Sequence, residues 1–168
     1  PIRPLEDHCP LADSVLYSGT DSAIKIKMNF STMNKSMFVT IKDYHRLMGM
    51  IEVAAMGTKI PDAVDRLWTN LKGARMLPQE NISRDVITMN SRARLTELSS
   101  GKEIEITVTY PQDADNLLKK ISVFSPIGIA LLGSRVGDTV SWKVPSAIGQ
   151  FRVDKVTYQP EAVGHYHL

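Results

Sequence analysis

Hydrophobic residues between positions 40 and 77 recur every three or four residues, the spacing of one face of an α-helix. Thr40, followed three residues later by Asp43, is typical of a helix start, with Asp in place of the usual Glu. Gly57 predicts the end of this first helix, Pro61 suits the first turn of a second, and Pro78 closes the pattern. The two predicted stripes are Ile41, Tyr44, Met48, Ile51 and Ala55, and then Ile60, Val64, Leu67, Leu71 and Ala74. Because the connection is short, the pattern predicts an antiparallel helical hairpin over 40–77.

From position 82 to 158 the pattern changes to alternating apolar and polar residues, which is typical of half-buried strands. Ser125 and Pro126 predict the N-cap and first position of a short helix that Gly133 ends. A hairpin loop is predicted at 145–149. The predicted strands begin at Val86 and otherwise cover 103–110, 120–124, 140–144 and 151–156. About five strands and one helix predict an α+β domain with an antiparallel sheet.

Residues 1–37 have a different character from the rest of the chain. Three prolines fall in the first ten positions, residues 17–22 have turn chemistry, and there is too little apolar content for a core. We therefore predict a flexible N-terminal segment at 1–37, a short coiled-coil hairpin at 38–79 and a C-terminal domain at 80–168. The sequence opens on Pro1, so Met28, Met33 and Met37 are candidate natural starts, with upstream sequence before them.

Composition narrows the class of protein. With 168 residues, 43% hydrophobic and 23% charged, the chain fits one domain or two small modules and excludes wholesale disorder. The longest apolar run is about five residues, whereas a membrane span needs ~20. Cys9 is the single cysteine and has no internal disulfide partner, so we expect a cytoplasmic protein. A net charge of +2 is too small to indicate a nucleic-acid footprint.

The sequence lacks the residue patterns of common active sites. Its histidines, at positions 8, 45, 165 and 167, do not have metal-binding spacing, and Cys9 has no organised histidine partner. Neither a glycine-rich phosphate loop nor a G-x-S-x-G nucleophile motif occurs. We therefore expect a binding module and not an enzyme, without cofactor or metal.

Three separated motifs carry a family resemblance. The run from Ser125 to Gly133, continuing through Val136–Val140, resembles the C-terminal signature of the bacterial Gre transcript-cleavage factors. Residues 85–92 and 158–162 resemble a branch of that family named for the regulation of nucleoside diphosphate kinase. The resemblance covers residues 38–168. It implies an FKBP-like C-terminal domain behind a shortened coiled coil.

The resemblance also implies a partner, RNA polymerase. Gre factors dock their C-terminal domain at the rim of the polymerase secondary channel, and the matching docking positions here are Phe124, Ser125, Pro126 and Ile127. In the cleavage factors an Asp precedes the Ser-Pro pair, whereas this chain has Phe124. A charge-assisted contact is thus replaced by an apolar contact or by a different register.

The residues at the hairpin tip indicate whether the resemblance implies a factor that stimulates cleavage or one that only competes for the same site. Gre factors push the tip into the channel, where two acidic residues help to hold a catalytic magnesium ion. Here the tip offers Thr58, the cation Lys59 and the acid Asp62, on a hairpin about half as long as that of Gre factors. Holding a metal requires at least two convergent carboxylates. We therefore expect this protein to compete with Gre factors without stimulating cleavage.

Several alternatives remain open at this stage. They are an active Gre-like cleavage factor, direct contact with nucleoside diphosphate kinase, and a prolyl isomerase suggested by the FKBP-like fold. Arg84, Arg92 and Arg94 form a candidate basic face for an acidic protein surface or RNA. No aromatic platform is interleaved with these arginines, which argues against binding of single-stranded nucleic acid. We expect no sequence-specific nucleic acid as a partner.

Overall fold

Three α-helices and seven β-strands form the part of the chain that the structure describes. The structure is a computed structural model, and it describes residues 37–57, 61–144 and 147–167. Nearly all of the predicted N-terminal segment lies outside these ranges. The elements in chain order are β1 (Phe38–Thr40), α1 (Ile41–Ala55), α2 (Asp62–Lys72), β2 (Arg75–Leu77), β3 (Arg92–Glu97), β4 (Glu103–Thr109), β5 (Lys120–Ser122), α3 (Pro126–Leu131), β6 (Thr139–Val144) and β7 (Ala147–Tyr158).

Helix α1 begins where its cap predicts, and the centre of its predicted stripe faces the core, with Ile51 buried and Tyr44 and Met48 partly buried. The backbone N–H of Asp43 donates to Oγ1 of Thr40 at 3.0 Å, which confirms Thr40 as the N-cap. The buried residues are Asp43, Leu47 and Ile51. The predicted stripe is wrong at both ends, since Ile41 is 43% exposed and Ala55 is exposed. The core-facing side of α1 also includes Leu47 and the polar Asp43, which the predicted stripe left out.

Helix α2 confirms the centre of its predicted stripe. Val64, Leu67 and Leu71 are buried, while Ile60 lies outside the described residues. The helix starts at Asp62 and ends at Lys72.

The predicted helical hairpin over 40–77 is wrong at its C-terminal end. The chain leaves α2 to form β2, which pairs in parallel with β1. We call α1 and α2, which contact each other, the helical pair. Their arrangement as an antiparallel coiled coil stays a prediction.

Five strands form the main sheet, in the order β5-β4-β3-β7-β6. Three of its four pairings are antiparallel, as predicted, but β4 and β5 are parallel, with Thr107 opposite Lys120. The antiparallel prediction is wrong at this edge because the chain reverses once more before β5. That reversal is a tight turn in which Asp115 and Lys120 form an antiparallel bridge.

The predicted strand from Val86 to Met89 is wrong. All four residues are buried, and within the segment only Val86 makes a bridge, to Arg135. Asn90 has a φ of 59°, in the left-handed region, so the chain turns there and β3 begins at Arg92. The segment thus fills the core instead of joining the sheet. The predicted loop at 145–149 is also too long, because β7 begins at Ala147.

Buried side chains of the helical pair and of the sheet belong to one hydrophobic cluster. Leu47, Leu67 and Leu71 of the helices and Leu95, Val108 and Val153 of the sheet are each 0% exposed. The α+β class is therefore confirmed, with one continuous core. Within the ranges described, each helix is too short or too polar to cross a bilayer.

Candidate functional site

The predicted docking segment, Phe124–Ile127, lies between strand β5 and helix α3. Ser125 is the N-cap of α3, and its hydroxyl accepts from the N–H of Gly128 at 3.1 Å. The same hydroxyl donates to the carbonyl of Ser122 at 2.7 Å. Its single hydrogen is therefore engaged within the fold. Ser125 fixes the geometry of the segment, and its exposed neighbour Pro126 is the residue presented to solvent.

Gly128 explains how closely this segment sits on the sheet. A Cβ atom at this position would lie 2.2 Å from the carbonyl oxygen of Ser122 and 2.7 Å from the Cα of Val123. Only glycine permits such an approach of the helix backbone to the strand. Phe124 and Ile127, on either side of the Ser-Pro pair, are partly buried against the core. The segment is therefore held rigidly, with Pro126 outermost.

A cleft of about 500 Å³ lies beside Pro126, between α2, α3 and β6. It brings together two positions that the sequence analysis placed in different parts of the molecule, Asp62 and Pro126. Arg66 and Lys143 also border it. Thr58 and Lys59 lie outside the described residues. The complete lining is Asp62, Ala63, Arg66 and Asn70 from α2, Pro126, Ile129 and Ala130 from α3, and Ser141, Trp142 and Lys143 from β6.

The candidate basic face is only partly assembled. Arg92 and Arg94 are exposed on β3 and alternate with buried Ala93, as their spacing predicts. Arg84 lies in a turn before the strand. Arg94 is opposite Glu105 on β4. On its other side Arg94 is opposite Lys155 of β7. Glu105 therefore interrupts the positive charge on this surface, and the three arginines do not form a uniform basic patch.

A buried polar contact, which the sequence analysis did not find, joins α1 to the sheet. Tyr110 follows β4 and donates its hydroxyl to Oδ1 of Asp43 at 2.8 Å. Both residues are almost fully buried, Asp43 at 4% exposure and Tyr110 at 2%. Burial raises the pKa of the Asp43 carboxyl, against the opposing effect of the Tyr110 hydrogen bond. We call this contact the junction. The sequence does contain one signal for the burial of Asp43: Asp43, Leu47 and Ile51 are spaced four residues apart, so they lie on one face of the helix.

A second buried carboxylate joins two of the motifs that carry the family resemblance. The Thr88 hydroxyl donates to Oε2 of Glu161 at 2.7 Å, and Thr88 also shares a hydrogen bond with Ser91. Burial raises the pKa of Glu161, and the Asp43 charge adds to the effect. Gln159 donates to the carbonyls of Ser83 and Val86, both at 2.9 Å. Residues 85–92 and 158–162 therefore pack on each other.

The residues that the structure describes do not gather three or more His, Cys, Asp or Glu side chains into a metal-binding group. The candidate site thus consists of an exposed proline on a well-packed backbone and a cleft of mixed charge, while the buried junction supports the fold behind them. Such an arrangement suits recognition of a macromolecular partner.

Comparison with known proteins places residues 82–158 in the family described as "Transcription elongation factor, GreA/GreB, C-term". The chain is 38% identical over 128 residues to the "Regulator of nucleoside diphosphate kinase" of Escherichia coli strain K12, covering 75% of this chain and 92% of that protein. It is 31% identical over 99 residues to the transcription elongation factor GreA of Alkaliphilus oremlandii, covering 62% of that protein.

The fold agrees with these sequence matches. The solved structure of a prokaryotic transcription elongation factor GreA/GreB from Nitrosomonas europaea is 34% identical to this chain, with a TM-score of 0.64. The likeness covers 74% of this chain and 99% of that one. The described residues therefore match nearly the whole of a known family fold.

Proposed function

The chain belongs to the GreA/GreB family of transcription elongation factors and is related to its nucleoside diphosphate kinase regulators, and from this membership we propose that it binds RNA polymerase near the secondary channel and modulates elongation. The observation that carries the proposal is the family match over 82–158, because this range contains the whole docking segment. The protein does not stimulate transcript cleavage. It acts as a regulator that competes with Gre factors for one site.

The docking segment supplies the contact. Pro126 is exposed at the first position of α3, on a backbone that Ser125 and Gly128 hold in place. A rigid, preformed contact loses little conformational entropy on binding. Phe124 stands where the cleavage factors have an Asp, so the contact depends on shape and apolar area and is weakly affected by salt.

The dimensions and charges of the helical pair support the proposed lack of cleavage activity. Helices of 15 and 11 residues extend only about 22 and 16 Å at 1.5 Å per residue. Asp62 at the start of α2 borders a cleft that also contains Arg66 and Lys143. Cations beside a carboxylate compete with a metal ion for it.

Transcript cleavage in stalled elongation complexes, with and without a Gre factor, tests the proposal. We expect no cleavage from this protein alone and slower cleavage when it is added to the Gre factor. Pro126→Asn weakens the competition, whereas Ile148→Ala, at an exposed position of β7, leaves it unchanged. Robust cleavage by this protein alone contradicts the proposal.

One observation favours an active cleavage factor as the second candidate. Asp62 and Asp65 both lie in the first turn of α2. Because they are three residues apart, their carboxylates are on the same side of the helix. If they hold a metal ion, the Asp62→Asn/Asp65→Asn double variant loses cleavage but retains polymerase binding.

The name of the Escherichia coli relative supports a separate test for direct contact with nucleoside diphosphate kinase. Retention of the purified kinase, but not of core polymerase, on the immobilised protein would replace the polymerase proposal.

A further inference from the structure

Two adjacent leucines protrude from the sheet region on the turn that precedes β5. Leu117 is 94% exposed, the highest value among the large apolar side chains that the structure describes, and Leu118 is 64% exposed. Exposed apolar residues are ordinary when they are scattered singly. Two consecutive leucines exposed on one turn offer a partner more apolar area than a single scattered residue does.

The turn holds these leucines on an ordered scaffold. Oδ1 of Asp115 accepts from the N–H groups of Leu117 and Leu118, at 2.8 and 3.3 Å. The backbones of Asp115 and Lys120 exchange two hydrogen bonds, of 2.9 and 2.8 Å, which close the turn. Lys119 has a φ of 53°, and its carbonyl accepts from Thr107 of β4. Because the backbone is fixed in advance, a partner that covers the leucines orders little besides their side chains.

The charges beside the leucines indicate the chemistry of the partner. Lys119 and Lys120 are both exposed and directly follow Leu118. Asp115, the acid within the turn, uses Oδ1 to accept hydrogen bonds from the turn itself. A matching surface has an apolar pocket for the leucines with carboxylates at its rim. We call residues 115–120 the leucine turn.

The leucine turn and the docking segment flank the same strand. Strand β5 is an edge strand of the sheet and starts at Lys120, and its last residue, Ser122, is followed after one residue by Phe124. At about 3.3 Å per residue, a strand of three residues spans roughly 10 Å. A large partner that contacts the exposed Pro126 is therefore close enough to contact the leucine turn as well.

We infer that the leucine turn is a second contact with RNA polymerase, in which Leu117 and Leu118 enter an apolar pocket on the polymerase that is rimmed by acidic side chains. The inference rests on the proposed function, because it takes the partner from there. It adds a contact that does not involve the Ser-Pro segment. It also predicts that the two contacts contribute separately to affinity.

The test is the affinity of the full chain for purified core RNA polymerase, compared between wild type and the Leu117→Ala/Leu118→Ala variant. We expect binding at least tenfold weaker, mainly through faster dissociation. Ile148→Ala is the matched control, since Ile148 is 65% exposed, and we expect its affinity to stay within twofold of wild type. Lys120→Glu weakens binding several-fold at low salt, and the difference shrinks as salt is added.

The outcomes separate this inference from the proposed function. Equal affinity of wild type and the leucine variant overturns the inference and leaves the proposed function standing. Lack of binding by wild type overturns both.

Two other occupants of the leucine turn are tested with the same variant. Binding of wild type, but not of the variant, to vesicles of phosphatidylglycerol and phosphatidylcholine would assign the turn to a membrane surface and overturn the inference. Concentration-dependent dimerisation that the variant loses would assign the turn to a second copy of the chain, with the same consequence.

Discussion

The sheet and the junction that ties α1 to it are stabilised in different ways. In the sheet, Leu95, Val108 and Val153 are each 0% exposed, and apolar area removed from water provides the stability. At the junction, the buried groups are the Asp43 carboxyl and the Tyr110 hydroxyl, joined by a hydrogen bond of 2.8 Å. The sheet is therefore sensitive to changes in side-chain volume, and the junction to changes in hydrogen bonding and protonation.

The difference indicates which substitutions each region of this chain tolerates. Apolar side chains of similar volume replace one another in a core at modest cost. A buried carboxylate is tolerated only while its partners remain in place. The junction therefore depends on fewer atoms than the apolar core, in which Leu47 and Ile51 also hold α1 against the sheet.

The largest expected loss of stability tests the apolar core of the sheet. Leu95→Ala, on the central strand β3, lowers the free energy of unfolding by about 2–5 kcal/mol because it leaves a cavity in the core. Leu98→Ala, at a position that is 47% exposed, changes it by less than about 0.5 kcal/mol. Urea denaturation measures both. Similar losses from the two variants would show that burial does not determine stability here.

The next effect tests how tightly α3 is packed on the sheet. Gly128→Ala lowers the free energy of unfolding by about 3 kcal/mol, because the new Cβ would lie within 3.0 Å of three backbone atoms. Gly49→Ala in α1 is the control. Its Cβ would meet no atom within 4 Å, and alanine favours the helix by about 0.5–1 kcal/mol. The two thermal midpoints should therefore move in opposite directions, and a shift in the same direction would contradict the prediction.

Removal of one hydroxyl group tests the junction. Tyr110→Phe removes the hydroxyl that donates to Asp43 and lowers the free energy of unfolding by about 2 kcal/mol, since it withdraws a hydrogen bond from a buried carboxylate. The loss is greater when Asp43 is ionised than when it is protonated. Tyr166→Phe, on an exposed tyrosine, has little effect. Chemical denaturation at two pH values measures both variants, and an effect of Tyr110→Phe as small as that of Tyr166→Phe would rule out the junction as a stabilising contact.

The smallest expected effect is on the pH dependence of the free energy of unfolding. This dependence has opposite signs at the buried carboxylates and at the surface of the sheet. The pKa values of Asp43 and Glu161 are raised by burial, so the folded state binds their protons more tightly than the unfolded chain does. Their contribution to stability is full below the ordinary value of about 4 and is lost as the pH rises through the raised pKa. Asp43→Asn should reduce this loss, which denaturation across the acidic range measures.

Asp154 on the sheet surface provides the contrast. Hydrogen bonds from Thr96 and Arg152 lower its pKa, so its contribution is present above the ordinary value and is lost as the pH falls through the lowered pKa. Solvent screens this exposed pair, so the change is small. Asp154→Asn should leave the junction's pH dependence unaltered, and a reduced dependence in that variant would assign the effect to the sheet surface.

Local signals in the sequence predicted much of the fold. The cap at Thr40, the Ser125-Pro126 start of α3 and the alternation in β4 and β6 each depend on neighbouring residues, and the structure has them at those positions. The strand predicted from Val86 to Met89 was wrong because a short run of buried residues occurs both in strands and in loops that fill a core. The docking role of residues 124–127 stays a prediction from a motif, whereas the cleft beside them was not predicted.

The sequence by itself determined the class of fold and the family, because capping residues, period-two alternation and short motifs act within a few positions of the chain. Only the tertiary structure decided the parallel edge of the sheet, the meeting of Asp62 with Pro126 at one cleft, and the burial of Asp43 against Tyr110. Asp43 and Tyr110 are 67 positions apart. At the helix start Asp43 resembles an ordinary capping acid, and only packing against the distant tyrosine makes it a buried one.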